Sequence, residues 1–442
     1  MKILIVSHDP IGERMAGPAI RYWELAGALS KEFEVLLAAP GQPTLRSADF
    51  RLEGYEPDGQ ALARLAKQAD VILVSGYLLH KFPLLKTAGK PLVVDIYDPF
   101  ILENLEIHSV RPLSEQARIH TANLRVLNEL LQIGDFFVCA SEKQRDYWLG
   151  MLAAVGRINP HTYNDDRTLR RLVDVVSFGL PTQPPGHDKQ VLKGVWEGID
   201  RDDKVILWGG GIWEWFDPLT LIKAVARMVE KRDDVKLFFM GMRHPNVEDV
   251  PEMRMCARAV QLSKDLGLFG KHVFFNDWVP YQERENYLLE ADIGVSLHFD
   301  HIETRFSFRT RLLDYIWAGL PMVVTRGDAM SDLVERHGLG RTVDYQDIQQ
   351  VEESLSALLN EPHLRAGRRG EFEKVAAQLT WAEVVEPLAQ FCRQPRRAPD
   401  ASFRGSHKAS LLALAWRAWR EEGIGGLWAR GRTYLGRRCL RD

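Results

Sequence analysis

The sequence predicts an α/β protein of two doubly wound parallel-sheet domains facing a cleft, with a helical tail behind them. Three observations lead there. The chain has 442 residues, room for two or three domains at about 150 residues each. Short runs of branched apolar residues alternate with longer stretches of helical periodicity, the pattern of parallel sheets covered by helices. That alternation occurs twice, on either side of Pro181-Thr-Gln-Pro-Pro-Gly-His-Asp, a stretch rich in breakers and poor in apolar residues.

In the first half the strand candidates are Ile3–Val6, Glu34–Ala38, Val71–Ser75, Leu92–Ile96, Phe136–Ala140 and Val173–Ser177. Each is largely apolar, as a strand covered on both faces must be. In the second half they are Lys204–Gly209, Val235–Gly241, His272–Asn276, Ile293–His298, Met322–Thr325 and Arg341–Asp344. The domains therefore run over 1–180 and 190–380, with a closing helix at 381–395 and a basic amphipathic helical tail at 396–442.

Composition narrows the class. Hydrophobic residues make up 45% and charged residues 26%, which fits neither a disordered chain nor a multi-span membrane protein. A formal net charge of −3 gives no bias toward nucleic acid. The tail is the exception: residues 403–442 carry nine Arg or Lys against three Asp or Glu. Cys139, Cys256, Cys392 and Cys439 lie far apart without a C-x-x-C pair, so reduced cytoplasmic thiols are expected. The apolar stretch at the N-terminus meets Ser7, His8, Asp9 and Pro10 at once, too short for a signal peptide.

Open parallel sheets hold ligands beyond the carboxyl ends of their strands, so the loops that follow strands are where chemistry is expected. After Ile3–Val6, Gly17-Pro18 opens a helix; its free N–H groups can face an anion or sugar hydroxyl, or the pair simply turns the chain. After Lys204–Gly209, Gly210 and Gly211 bring backbone amides toward phosphates, or form a tight turn covered by Trp213 and Trp215. In Glu303-Thr-Arg-Phe-Ser-Phe-Arg-Thr-Arg-Leu-Leu-Asp-Tyr-Ile-Trp-Ala-Gly-Leu-Pro, Ser307 is the expected N-cap, followed by Phe308, and Leu312, Leu313 and Ile316 give the apolar face. Arg305, Arg309 and Arg311 crowd the N-terminal end, where cations oppose the helix dipole; an anion to be held accounts for them. Asp314 can accept both hydroxyls of a ribose, or pair with Arg311 at i,i+3 spacing. The one D-x-D, Asp200-Arg-Asp202, precedes a strand instead of following one, so no metal site is expected.

The run Arg311-Leu-Leu-Asp-Tyr-Ile-Trp-Ala-Gly-Leu-Pro-Met-Val-Val resembles the end of the signature helix of group 1 glycosyltransferases, family 4-like, of GT-B fold. Gly17-Pro18-Ala19-Ile20-Arg21, Cys139-Ala-Ser-Glu-Lys-Gln, Ser177-Phe-Gly-Leu-Pro and Asn276-Asp-Trp-Val-Pro agree with it, and the resemblance spans residues 1 to about 395. Gly209-Gly-Gly-Ile-Trp-Glu-Trp-Phe-Asp-Pro-Leu-Thr resembles a bacterial surface-polysaccharide subgroup.

The resemblance implies Rossmann-like domains, the first on the acceptor side and the second binding a nucleotide sugar, with the closing helix crossing back to the first. It places Asp314 on the Glu that binds the ribose. The family's first Glu falls on Phe306, and the nearest carboxylate, Glu303, lies eleven positions before Asp314 instead of eight. The Arg and Lys common in the first loop of the second domain are missing between Gly209 and Ile222, leaving Arg309, Arg305 and Arg243 to neutralise the diphosphate. Asp98 falls near the reacting carbon, where it positions a sugar hydroxyl, accepts the acceptor's proton, or caps the turn before Pro99. Asn276, Trp278 and Val279 fall where relatives bind the base, mainly through backbone groups and an apolar wall; Trp278 stacks on the base or packs in the core.

The implied reaction is metal-independent transfer with retention, from a nucleotide sugar that serves as co-substrate without any cofactor, to a glycan or lipid-linked acceptor. Leu411, Leu412, Ala415, Trp416 and Trp419 form one helical stripe in the tail, and Trp428 follows among arginines. That pattern suits either an anionic membrane surface, giving a cytoplasmic protein peripheral to the inner membrane face, or packing against protein. The contrasting reading is a catalytically silent GT-B protein that binds a glycan or nucleotide sugar as an assembly partner; the departures at Phe306 and in the glycine loop point to it.

Overall fold

The computed structural model describes residues 1–242, 244–245, 253–361, 364–403 and 420. The apolar runs form two parallel sheets. In the first, β1 (Lys2–Val6), β2 (Glu34–Pro40), β3 (Arg51–Tyr55), β4 (Val71–Ser75), β5 (Leu92–Asp95), β6 (Phe136–Cys139) and β7 (Val173–Val175) lie in the order β3-β2-β1-β4-β5-β6-β7. In the second, β8 (Lys204–Trp208), β9 (Val235–Phe239), β10 (Val273–Phe275), β11 (Ile293–Ser296), β12 (Met322–Thr325) and β13 (Gly340–Val343) lie in the order β10-β9-β8-β11-β12-β13. Leu4 is paired with Leu36 on one side and Ile72 on the other, both parallel. Strand order reverses between β1 and β4 and between β8 and β11, so the loops after these strands border the two ligand crevices of a doubly wound pair.

Alternate residues of each strand enter opposite layers. Ile3, Ile5, Leu37 and Leu73 pack with Tyr22 and Leu25 of the helix Gly17–Leu29, while Leu4, Val6, Ile72 and Val74 pack with Leu127 and Leu130 of the helix Leu113–Ile133. Each such side chain contributes about 1.5–3 kcal/mol on full burial. The strand that sequence patterning missed is β3. It is an edge strand, Arg51-Leu-Glu-Gly-Tyr, buried only at Tyr55, so it lacks the apolar run of its neighbours.

Two crossings join the domains. The amide of Leu180 donates to Leu379 O at 2.7 Å and that of Trp381 to Leu180 O at 3.0 Å. A Cβ on Gly179 would stand 2.7 Å from the Trp381 nitrogen, so the approach requires glycine. The closing helix is in fact two, Trp381–Val384 and Glu386–Arg393, because Pro387 in the first turn of the second cannot continue the first. Both return to the first domain: Trp381 of the first meets Phe178 at 6.2 Å, and in the second Phe391 stacks on Phe136 at 4.8 Å and Arg393 pairs with Glu32 at 2.8 Å.

The start of the predicted tail differs from expectation. Residues 395–403 form no helix but pack against the first domain, where the Ala398 amide donates to Asp135 at 3.0 Å and Arg396 pairs with Asp165 at 2.9 Å. Asp400 pairs with Arg157 at 2.7 Å, both side chains buried. Trp416, Trp419, Trp428 and the rest of the basic stretch lie outside the described residues, apart from Arg420. No helix among the described residues is long and apolar enough to cross a membrane.

Candidate functional site

The glycine loop after β8 owes its shape to Tyr315. This side chain, fully buried under the junction of β8 and β11, accepts the Gly209 amide at 2.7 Å, and its hydroxyl lies 2.9 Å from Val295 O and 3.1 Å from Leu207 O. Gly294 makes room for it, since a Cβ there would meet the Tyr315 ring at 2.6 Å. Gly210 has φ +82°, a conformation open to glycine at little cost. The ring of Trp278 covers the loop, 3.3 Å from where a Cβ on Gly211 would stand. Trp213 also covers Gly211, while Trp215 stacks on Trp213 at 5.6 Å. Trp278 Nε1 donates to Met15 O at 3.2 Å, tying the glycine loop to the loop that follows β1. Val279, beside it, is a core residue.

The arginine-rich segment is not one helix. It forms two short helices, Ile302–Phe306 and Arg311–Trp317, separated by Ser307–Thr310. Ser307 does not cap the second: its hydroxyl donates back to Thr304 O at 3.0 Å and closes the first. Phe308 stacks on Phe178 of the first domain at 6.1 Å. Phe306, at the position of the missing Glu, packs on Tyr147 of the first domain at 4.9 Å.

The three arginines have separate fates. Arg305 is exposed, its guanidinium 5.9 Å from the Phe306 ring. Arg309 is buried and donates to both carboxylate oxygens of Glu303, at 3.0 and 2.7 Å, with Asp328 a further 3.8 Å from its Nε. This pairing neutralises Arg309 and occupies Glu303. Asp328 lies below the usual carboxylate range: burial would raise it, but the His298 hydrogen bond at 3.1 Å and the Arg309 charge outweigh that. Burial holds His298 below its ordinary value. Arg311 pairs with neither Asp314 nor any other carboxylate among the described residues. Its guanidinium lies over Trp208 at 4.7 Å and Phe216 at 4.1 Å and donates to Gly211 O at 2.8 Å.

Asp314 is paired instead with Arg284, at 3.1 Å, on the adjoining helix Arg284–Glu290. Arg284 lies between the rings of Tyr281, 3.9 Å away, and Trp317, 4.7 Å away. The Tyr281 hydroxyl reaches Glu24 of the first domain at 2.9 Å. The expected Asp314–Arg311 pair is thus replaced by a chain Asp314–Arg284–Tyr281–Glu24 across the domain boundary.

On the first domain, Asp98 follows β5 and is joined by Glu103 of the helix Phe100–Ile107, which packs on Ile302–Phe306. Burial pushes Asp98 up to about 6; the Glu103 hydrogen bond opposes that, and Glu303 and Asp95 reinforce it. Glu103 lies well above its ordinary value for the same first reason, burial, with the charges of Asp98 and Glu303 adding to it. Asp98 Oδ1 is buried without a hydrogen-bond partner among the described residues. Behind it, Asp95 holds Arg21 through bonds of 2.5 and 3.1 Å, and Arg21 lies between Tyr97 and Phe178. Gly17 begins its helix with open space at its α-carbon, and Ala16 supplies no side-chain cap. His8 meets Ser75 at 3.3 Å, and His108 ends the helix Phe100–Ile107 as its C-cap.

The structure therefore gathers Asp98, Glu303 and Arg309 at one place, and Gly210, Gly211 and Trp278 at a second with Arg311. Asp314 stands at a third with Arg284. Arg243 lies outside the described residues. Glu103, Arg284 and Gln144 were not foreseen. Gln144 has a local signal, the Ser141 N-cap three residues earlier; its Nε2 donates to Tyr97 O at 2.7 Å and, across the cleft, to Phe306 O at 2.9 Å.

Comparison with known proteins agrees with this architecture. Residues 203–361, most of the second domain, match the family described as glycosyl transferases group 1. No curated protein sequence matches the chain. Among solved structures, sucrose-phosphate synthase from Thermosynechococcus elongatus superposes with a TM-score of 0.62 at 16% identity, over 89% of this chain and 98% of that one. HepE of Anabaena, in complex with UDP-glucose, gives 0.60 at 15% identity over 89% and 99%. WaaG, a glycosyltransferase involved in lipopolysaccharide biosynthesis, gives 0.60 at 14% over 88% and 99%. At these identities the likeness establishes the GT-B fold.

Proposed function

We propose that this chain, whose second domain matches the group 1 glycosyl transferases, moves a sugar from a nucleotide-activated donor to a glycan or lipid-linked acceptor in the assembly of a cell-surface polysaccharide. The observation that carries this reading is the bridging of both donor-side elements to the first domain: the glycine loop through Trp278 to Met15, and Asp314 through Arg284 and Tyr281 to Glu24. A ligand shared by two Rossmann-like domains lies between such loops.

In the proposed reaction Asp314 accepts the ribose hydroxyls and the glycine loop receives the diphosphate. The acceptor oxygen bonds to the anomeric carbon, the bond from that carbon to the diphosphate oxygen breaks, and the acceptor's proton leaves on the departing diphosphate. Attack on the face of departure retains the anomeric configuration. The side chains supply position and charge: Asp98, with Glu103, holds a sugar hydroxyl, and Gln144 keeps the two domains in register. Glu303 holds Arg309 in place beneath them. The cations are the protein's own, so chelation leaves the rate unchanged, whereas loss with EDTA and recovery with manganese would refute that part. The basic tail carries the protein to an anionic membrane face where a lipid-linked acceptor lies.

A second reading, a silent protein that binds a glycan or nucleotide sugar as an assembly partner, draws on the absence of Arg and Lys between Gly209 and Ile222 and on the occupation of Glu303 by Arg309. Hydrolysis and transfer assays over UDP-, GDP- and dTDP-sugars decide between them. Since HepE was solved with UDP-glucose, that donor comes first. Binding without turnover on any acceptor would favour the silent reading.

A further inference from the structure

We propose that Arg311 is the positioning residue of the Gly209–Ile212 loop, supplying from behind it the positive charge toward the donor's diphosphate that a Lys or Arg on the loop itself would supply. The inference rests on the nucleotide-sugar reading and adds the group that answers the diphosphate charge.

Three observations lead to Arg311. The first is charge. Arg309 is neutralised by two bonds to Glu303 and Arg305 is exposed, whereas Arg311 is buried with no carboxylate at ion-pair distance among the described residues. It rests on two aromatic faces, which stabilise the cation without cancelling its charge. Its NH1 is buried without a hydrogen-bond partner among the described residues, and such a group is costly unless something offsets it. An anion nearby does so.

The second is the loop's backbone. Among the described residues the N–H groups of Gly210, Gly211 and Ile212 donate to no acceptor, while Gly209 donates to Tyr315. Successive free amides, one in the left-handed region at Gly210, form an anion-binding concavity.

The third is orientation. Gly211 O accepts from Arg311 NH2 at 2.8 Å and from Trp208 Nε1 at 3.3 Å. A planar trans peptide directs its N–H opposite to its carbonyl, so the Ile212 N–H points away from Arg311 and Trp208. Arg311 thus both fixes the loop and places an uncancelled positive charge behind it. A lysine on the loop would do the second task alone.

The test is calorimetric titration of the full chain with UDP, GDP and dTDP and with the corresponding nucleosides. In the wild type the diphosphate should bind more tightly than its nucleoside. Arg311→Gln should reduce that preference by about tenfold, the scale of removing a buried charge that stands behind the loop without touching the anion, while nucleoside affinity changes less than about twofold. Arg309→Gln, which removes the other guanidinium over the Phe216 ring, should leave the preference intact. Arg311→Lys, which keeps the charge and is suited to the site if the Gln variant fails to fold, should retain a preference for diphosphate that weakens as salt is added. The proposal is overturned if Arg311→Gln keeps the full preference, if both affinities fall together, if Arg309→Gln abolishes the preference, or if Arg311→Lys has lost it altogether. A wild type that binds no diphosphate overturns the nucleotide-sugar reading itself.

Discussion

Asp314→Ala separates ligand binding from folding because of where the carboxylate stands. Its side chain is 37% exposed and its one ion pair among the described residues is to Arg284, itself 12% exposed. Arg284 keeps the Tyr281 and Trp317 faces and a 2.8 Å bond to Tyr281 O when Asp314 is removed. A half-exposed pair of this kind contributes at most about 1 kcal/mol, so the domain's Tm should fall by no more than about 2–4 °C. The ligand loses more. Arg284 holds Oδ1, which leaves Oδ2 for a ribose hydroxyl, and a hydrogen bond to a charged group contributes about 1.5–3 kcal/mol. Donor affinity should therefore fall by about 10- to 100-fold. Titration calorimetry with the nucleoside diphosphate, alongside scanning calorimetry of both proteins, measures the two effects. A lowered Tm with donor affinity unchanged would refute the ribose assignment and leave Asp314 a structural partner of Arg284.

Other consequences concern pH, the returning segment and the tail. Asp98 keeps its proton in the folded protein up to about pH 6 but loses it near 3.9 when unfolded, so the Asp98 contribution to stability should decline as pH rises between those values. Asp98→Asn should flatten that decline and lower kcat/KM at pH 7, and an unchanged urea-unfolding profile across pH 4–6 would contradict the buried-carboxyl account. Asp400→Ala leaves Arg157 without its buried carboxylate, a change that costs about 3–5 kcal/mol; calorimetry should show the first domain melting at least about 6 °C lower, and wild-type melting would mean that the segment is not part of that domain. A chain ending at Phe403 should fold as the full chain does, yet lose sedimentation with anionic vesicles, because Trp416, Trp419 and Trp428 are gone. Undiminished sedimentation would place the membrane contact elsewhere.

Sheets were legible because a strand buried on both faces must be apolar throughout, as Val71–Ser75 is. The edge strand Arg51–Tyr55 escaped because one side of it meets solvent, so nothing demands that run. The arginine cluster was visible as a set, but its division was not. Whether Arg309 or Arg311 is neutralised depends on the break at Ser307–Thr310, which turns Glu303 onto Arg309 and leaves Arg311 on Trp208 and Phe216. Glu103 and Gln144 act on partners brought near only by the fold: Glu103 faces Glu303 of the other domain, and Gln144 reaches Phe306 O, 162 positions away. Asp400 fell within the predicted tail because its partner, Arg157, is 243 positions distant.

The most direct test of the central claim is single-turnover assay of the purified full chain with radiolabelled UDP-, GDP- and dTDP-sugars, read as release of the nucleoside diphosphate. One of these donors should release its diphosphate in the wild type, more slowly in Asp314→Ala, and faster when a glycan or lipid-linked acceptor is added. Release from none of them, with no binding of any nucleoside diphosphate by calorimetry, would contradict the claim that this cleft handles a nucleotide sugar.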